Sequence, residues 1–384
     1  MNPIKIVFIV DSLVCGGAEQ ALYDLALLLD KEKFTVTVFS QKPGAEWDQK
    51  FLNAGIHLIY DYSCRKATLN PMIKARNIYR KLRIQSCYRH GGENLMDVCC
   101  PGADIVVSYS MWDHVKCGFL RGAKSVKFIH GNTQTNPAFH DLILRDRDLL
   151  PRYDRIVCVS QASYEAFMET TGRKTGVEMH FNPINSDNVL RLSQERAALP
   201  EGEPIVCAVG RLSPEKGFER LIVIHKRLIE EGIRHKLVLV GDGPDRDYIR
   251  RTIQAMDAQD SVILAGYQAN PYPYIAGSRF LVNPSFTEGL PVVAMEALCL
   301  GIPVVSAVPS AGEAFGGEDC GVITENDNES LRSGMRKMLT DEAFYAEKKA
   351  GAERRSHFFS GRRMAKELEE MFLQMMAEGE TDRP

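Results

Sequence analysis

No apolar run in this chain approaches the ~20 residues that a membrane-spanning helix needs. Its first residues, Met1-Asn2-Pro3-Ile4-Lys5, run straight into a strand pattern without the layout of a signal peptide. An excess of one charge is also missing. The 47 Lys and Arg against 50 Asp and Glu leave a net of −3, so no overall field marks the molecule as a nucleic-acid binder. Its 10 cysteines are scattered without a Cys-x-x-Cys pair, Cys99 and Cys100 being merely adjacent. That argues against a zinc site and, in a chain of 384 residues, against a disulfide scaffold. The expectation is a cytoplasmic protein of two ordinary domains, each burying its own core.

What is present begins with a strand, Lys5 to Val10, a turn, a helix from Ala18 to Leu29, and a second strand from Thr35 to Ser40. This is a doubly wound strand–helix–strand unit. Its turn, Cys15-Gly16-Gly17-Ala18-Glu19, brings backbone N–H groups to a helix N-terminus, which suits phosphate; a plain tight turn is the alternative. The spacing G-x-G-x-x-G is absent, and the second strand ends in Ser40-Gln41 with no acid for a ribose, which argues against NAD.

Between Arg65 and His90 stand eight Lys or Arg (Arg65, Lys66, Lys74, Arg76, Arg80, Lys81, Arg83, Arg89) and no Asp or Glu. Met72, Ala75, Tyr79 and Leu82 recur through the stretch at helical spacing. Such a helix suits an anionic membrane surface, the alternative being a solvated helix face. Nucleic acid is disfavoured, because stacking aromatics beyond Tyr79 and Tyr88 are missing. Further strands run from Asp104 to Ser110 and from Ser125 to His130. A histidine just past an apolar strand is expected to face a cleft, against the commoner structural role of a lone histidine. Ser, Asn, Glu, Pro and Gly gather between Asn185 and Gly202, which places the domain boundary there: 1–187, 188–360, and a C-terminal helix 361–384.

The second half opens with the strand Pro204 to Gly210, the loop Arg211-Leu212-Ser213-Pro214-Glu215-Lys216-Gly217-Phe218, and a helix from Glu219 to Glu231. Arg211 and Lys216 share one strand-to-helix loop and can converge on a diphosphate; a surface salt bridge with Glu215 or Glu219 is the alternative. After the apolar Phe280-Leu281-Val282, a turn carries Glu288, Gly289 and Pro291 into a helix-favouring run that contains Glu296. Pro291 suits the first helical position. Glu288 is therefore expected at the carboxyl end of a strand, before a helix N-terminus, where open α/β sheets bind anions. Asp242, in Gly241-Asp242-Gly243-Pro244, is read as shaping a turn. Met364, Leu368, Met371, Phe372 and Met375 form a C-terminal apolar stripe of core type.

Glu288-Gly289-Leu290-Pro291 followed by Glu296-Ala297, with Ser285 before and Ile302-Pro303-Val304-Val305 after, resembles the signature of retaining glycosyltransferase family 4. The loops at Arg211 to Phe218 and Gly241 to Pro244 match it too. This resemblance implies the α/β GT-B fold: two doubly wound Rossmann-like domains facing across a cleft, with the C-terminal helix crossing back to the first. It further implies that Arg211 and Lys216 hold a donor diphosphate and that Glu296 takes the ribose hydroxyls. Glu288 would lie on the sugar, with Gly289, Leu290, Pro291 and Val292 at the phosphate. Tyr267 would sit beside the nucleobase, Gly16 and Gly17 at the donor phosphate and acceptor, and His130 on the transferred sugar once the domains close. Pro291 departs from members with glycine there and removes one backbone donor.

The expected activity is metal-independent transfer from a nucleotide sugar, a UDP-hexose or UDP-N-acetylhexosamine, with no cofactor and no metal. No Asp-x-Asp between strands is expected to hold a divalent ion. The expected acceptor is a lipid-linked glycan in surface polysaccharide assembly. The alternatives are a soluble transferase on a small molecule, peptide or protein, and a noncatalytic partner subunit with this fold. A GT-B epimerase matches the loops less well.

Overall fold

The computed structural model describes residues 2–14, 16–60, 71–90, 94–110, 118–173 and 175–378. Cys15, Arg65 and Lys66 lie outside them. The chain divides into two compact units, residues 1–183 with 362–384, and residues 184–361.

The first unit is built on seven parallel strands: β1 (Ile4–Val10), β2 (Phe34–Ser40), β3 (His57–Tyr60), β4 (Ile105–Ser108), β5 (Lys124–Ile129), β6 (Arg155–Cys158) and β7 (Val177–Met179). Their order is β3-β2-β1-β4-β5-β6-β7. Strand β1 is central, with Phe8 in register with Val38 on one side and Val107 on the other. It is apolar on both faces because helices cover both, as a parallel sheet requires. The C-terminal helix Gly361–Ala377 belongs to this layer. Its stripe Met364, Leu368, Met371, Phe372 and Met375 is buried, and the Phe372 ring meets Phe8 and Phe34 edge-on. Glu369, 2% exposed, accepts from the Asp30 main-chain N–H at 2.7 Å. Truncating Phe372 to alanine would cost about 3–5 kcal/mol.

The second unit carries six parallel strands: β8 (Ile205–Val209), β9 (Lys236–Val240), β10 (Val262–Gly266), β11 (Phe280–Asn283), β12 (Val304–Ser306) and β13 (Gly321–Ile323). Their order is β10-β9-β8-β11-β12-β13. In each sheet the order reverses beside its first strand, between β1 and β4 in the first unit and between β8 and β11 in the second. The crevice outside the carboxyl ends of such a pair is where doubly wound folds bind ligands. One detail departs from the sequence reading: the segment after Asn185 is not all linker. Asn185 caps a helix, Ser186–Ser193, by accepting from the Asn188 N–H, and Val189 anchors that helix in the second unit's core.

Candidate functional site

In the second unit, the loops after β8 and β11 flank the switch point, and the anticipated residues sit on them. Arg211, Ser213, Glu215 and Lys216 follow β8. Ser285 and Glu288 follow β11 and precede the helix Val292–Cys299. Lys216 Nζ lies 2.5 Å from Glu288 Oε1, both side chains being mostly buried. Ser285 Oγ is 2.8 Å from the same carboxylate oxygen. Arg211 Nη2 lies 3.3 Å from Glu215 Oε1, to which Ser213 Oγ donates at 2.6 Å. Burial pushes the Glu215 carboxyl up, but the Ser213 bond, its own main chain and the Arg211 charge outweigh this and hold it below the ordinary range. The salt-bridge alternative for Arg211 is thus realised in the free chain. It does not displace the diphosphate reading, because a partly exposed pair of this kind is worth only ~1 kcal/mol or less.

The two loops are held together through the main chain. Phe286 N–H donates to the Glu215 carbonyl at 2.8 Å. Gly217 adopts φ +67°, and a Cβ there would fall 2.2 Å from the Pro284 carbonyl oxygen, so only glycine lets the loops approach this closely. Pro291 is not the first helical residue. It caps the helix with φ −71° and ψ 105°, its carbonyl accepting the Ala294 N–H at 3.0 Å. Its extended ψ keeps it outside the helix while its carbonyl starts the ladder. Gly289 and Leu290 lead into that N-terminus and Val292 opens it. Glu296, one turn in, is 7% exposed and accepts from Tyr272 Oη at 3.0 Å. Tyr267 follows β10 and is exposed. Asp242 shapes its turn as expected, accepting from Gly243 N–H at 2.8 Å and pairing with Arg246 at 2.9 Å.

In the first unit, Gly16 is extended and precedes the helix Gly17–Leu28, whose first turn holds Glu19. Glu19 folds back over Gly16, so its carboxylate already lies at this helix start. His130, just past β5, does not stand open in a cleft. Its ring packs 4.5 Å from the Tyr109 ring centroid and stacks on Phe128 at 5.7 Å. Both ring nitrogens are shut off from solvent, with no hydrogen-bond partner among the described residues. Burial first, then the charge of Lys127, pushes its pKa down to about 3; the nearby Tyr109 main chain opposes this without forming a hydrogen bond. The imidazole is therefore neutral at physiological pH. Lys127 is itself 3% exposed and donates to Ser108 Oγ at 2.9 Å and to the Ser110 carbonyl at 2.7 Å.

Two Asp-x-Asp runs occur between strands, Asp146-Arg147-Asp148 and Asp245-Arg246-Asp247. Asp146 and Asp148 end a helix beside Arg145 and Arg147, and Asp247 pairs with Arg250 at 2.7 Å. Among the described residues no group of three or more His, Cys, Asp or Glu has the geometry of a metal site.

Sequence reasoning passed over Tyr272 and Arg220, and named Glu215 only as a salt-bridge partner. Arg220 left a readable signal, a charged residue at helical spacing among the apolar Phe218, Leu221, Ile222, Ile224 and Leu228.

Comparison with known proteins decides the family. The sequence model of the glycosyltransferase family 4 domain matches residues 15–188, and that of the glycosyl transferases group 1 domain matches residues 191–372. The chain belongs to family 4 of the glycosyltransferases. It is 29% identical over 223 residues to a Campylobacter jejuni enzyme, the N-acetylgalactosamine-N,N'-diacetylbacillosaminyl-diphospho-undecaprenol 4-alpha-N-acetylgalactosaminyltransferase. The match spans 57% of this chain and 60% of that enzyme. An uncharacterized glycosyltransferase of Haemophilus influenzae is 21% identical over 88% of this chain and 91% of its own length. The solved structure of Anabaena HepE with UDP-glucose superposes at a TM-score of 0.74, with 19% identity, over 97% of this chain and 100% of that one. That likeness establishes the GT-B fold.

Proposed function

We propose that this glycosyltransferase moves a hexose or N-acetylhexosamine from a UDP-sugar, with retention of configuration and without a metal, to a lipid-linked glycan during surface polysaccharide assembly. One observation carries the donor half: Arg211 and Lys216 stand on the loop after β8, and Glu288 and a helix N-terminus stand on the loop after the neighbouring β11. As the anomeric C–O bond breaks, negative charge grows on the departing diphosphate, and fixed cations with a helix N-terminus stabilise it. Glu288 exchanges Lys216 for sugar hydroxyls, Glu296 takes the ribose hydroxyls, and Tyr267 borders the base. Gly16 and Gly17 line the donor phosphate and acceptor. His130 is neutral and has no proton to give; it reaches the sugar only once its ring turns out from between Tyr109 and Phe128. No carboxylate is assigned as a covalent nucleophile.

The acceptor half rests on the Campylobacter relative, whose acceptor is a diphospho-undecaprenol, and on the helix Pro71–Arg89. That helix buries Ile84 and Cys87 but turns Met72, Ala75, Ile78, Tyr79 and Leu82 outward beside exposed Lys74, Lys81 and Arg83. An outward apolar stripe flanked by cations favours anionic lipid over a merely solvated face, each cation adding roughly 1 kcal/mol. Among the described residues no helix is long and apolar enough to cross a membrane.

Two experiments test this reading. UDP- and GDP-sugars are screened for thermal stabilisation; UDP-sugars are expected to raise the melting temperature, and none doing so refutes the donor assignment. Pelleting with phosphatidylglycerol vesicles, with Lys74, Lys81 and Arg83 reversed to Glu as control, tests the acceptor side. An unbound wild type leaves the soluble-acceptor reading in its place.

A further inference from the structure

Arg220 is the third residue of the helix Phe218–Glu230 and is only 6% exposed. A buried guanidinium carries a large desolvation cost, yet no carboxylate is ion-paired with it among the described residues. Its donors go to main-chain and amide oxygens instead. Nε donates to the Pro284 carbonyl at 2.7 Å, and Nη2 donates to that carbonyl and to the Ser285 carbonyl, the latter at 2.8 Å. Nη1 donates to Asn326 Oδ1 at 2.7 Å. Asn326 closes the circuit, its Nδ2 donating to the Phe286 carbonyl at 2.8 Å. The guanidinium also lies 4.1 Å from the centroid of the Phe286 ring.

These contacts fall on three consecutive residues of the loop that begins at Pro284 and, two residues past Phe286, carries Glu288. A planar fork with donors at fixed angles dictates the path of the peptide it holds, as a flexible ammonium does not. Gly217 makes the approach possible, since a Cβ there would also press on Arg220 Nε at 2.9 Å.

We propose that Arg220, with Asn326, is a positioning residue for donor binding: its fork sets the path of residues 284–286 and thereby places Glu288 and the start of the helix Val292–Cys299 against the Arg211–Lys216 loop. The proposal rests on the donor reading above and adds residues that touch no ligand. A lysine keeps the charge but reaches one oxygen well, so Arg220→Lys separates fork geometry from charge.

Calorimetric titration of UDP into the full chain measures affinity and active fraction separately. Arg220→Lys is expected to keep its stoichiometry, melt within about 5 °C of wild type, and bind UDP about tenfold more weakly. A purely structural role predicts the opposite split, a reduced stoichiometry with unchanged affinity, and that result overturns the proposal. Asn326→Ala provides a second variant at an exposed site, expected to weaken UDP about threefold with an unchanged melting temperature. If Arg220→Lys does not fold, Asn326→Ala decides alone, and an unchanged affinity there overturns the proposal. Wild type failing to bind UDP at all sinks the donor reading and this inference with it, whereas a wild type that binds and variants that match it sink only the inference.

Discussion

On the proposed donor reading, the Lys216–Glu288 pair is an internal competitor of the diphosphate, and that competition has a measurable sign. In the free chain the ammonium that is to meet the diphosphate is held by a carboxylate 2.5 Å away. The lysine and glutamate side chains retain 27% and 16% of their exposure, so their net attraction is that of a partly screened pair, about 1 kcal/mol. Binding UDP must first break this pair, and UDP carries no sugar to compensate Glu288. Replacing Glu288 with alanine removes the competitor and should tighten UDP by about fivefold, the equivalent of ~1 kcal/mol, while transfer is lost because nothing then holds the sugar. Lys216→Ala should have the opposite sign. It forfeits a charge-assisted bond to phosphate of about 1.5–3 kcal/mol and regains the ~1 kcal/mol that wild type loses in breaking the pair, so UDP should weaken by only about 2- to 30-fold. In the double variant the competition term disappears. The two single effects should therefore fail to add by about 1 kcal/mol. Calorimetric titration of the four proteins at fixed salt reads all of this. Glu288→Ala that weakens UDP, or Lys216→Ala that leaves it unchanged, refutes the reasoning.

Two further predictions concern groups that no motif announces. Tyr272→Phe deletes the hydroxyl that donates to Glu296, so UDP should weaken by about fivefold, the worth of one hydrogen bond that orients a carboxylate, and unchanged affinity would show that Glu296 is fixed without it. In the second unit, His225 and His235 are fully buried, with His225 Nδ1 2.8 Å from His235 Nε2 and His225 Nε2 2.9 Å from Ser261 Oγ. Burial, the neighbouring imidazole, Lys226 and Lys236 push the His225 pKa down to about 3, and burial likewise lowers that of His235, opposed by the Ile233 carbonyl and the Glu203 charge. Because the folded pKa lies below the unfolded value near 6.5, the unfolded chain binds more protons as pH falls, and stability declines from about pH 6.5 downward. Urea denaturation at pH 7 and pH 5 should show this loss, and His225→Gln should reduce it; an equal loss in both proteins would place the acid sensitivity elsewhere.

How far the sequence could be read depended on whether a feature was local. The strand at Lys5 to Val10 was legible because a parallel strand covered on both faces needs an unbroken apolar run, and the C-terminal stripe was legible because burial on one helix face imposes a 3.6-residue period. Arg211, Lys216, Glu288 and Glu296 were legible because loops at a switch point carry their chemistry in short strings. Pro291 was misplaced by one residue, since its fixed φ suits both the cap and the first helical position, and only ψ distinguishes them. What stayed hidden is what depends on long-range contacts. Glu288 is 72 residues from Lys216, Tyr272 is 24 from Glu296, and Arg220 is 64 from Pro284. The same pattern explains His130. Its position after a strand suggested an open cleft, but one of the rings packed on it, Tyr109, stands just past β4, a neighbour assigned by sheet order rather than by sequence. The residues proposed to contact the donor are thus written in motifs, whereas those that hold them in place are written only in the topology. Substitutions at the second group are for that reason the sharper test of the arrangement, because they leave every motif residue intact and change only where it stands.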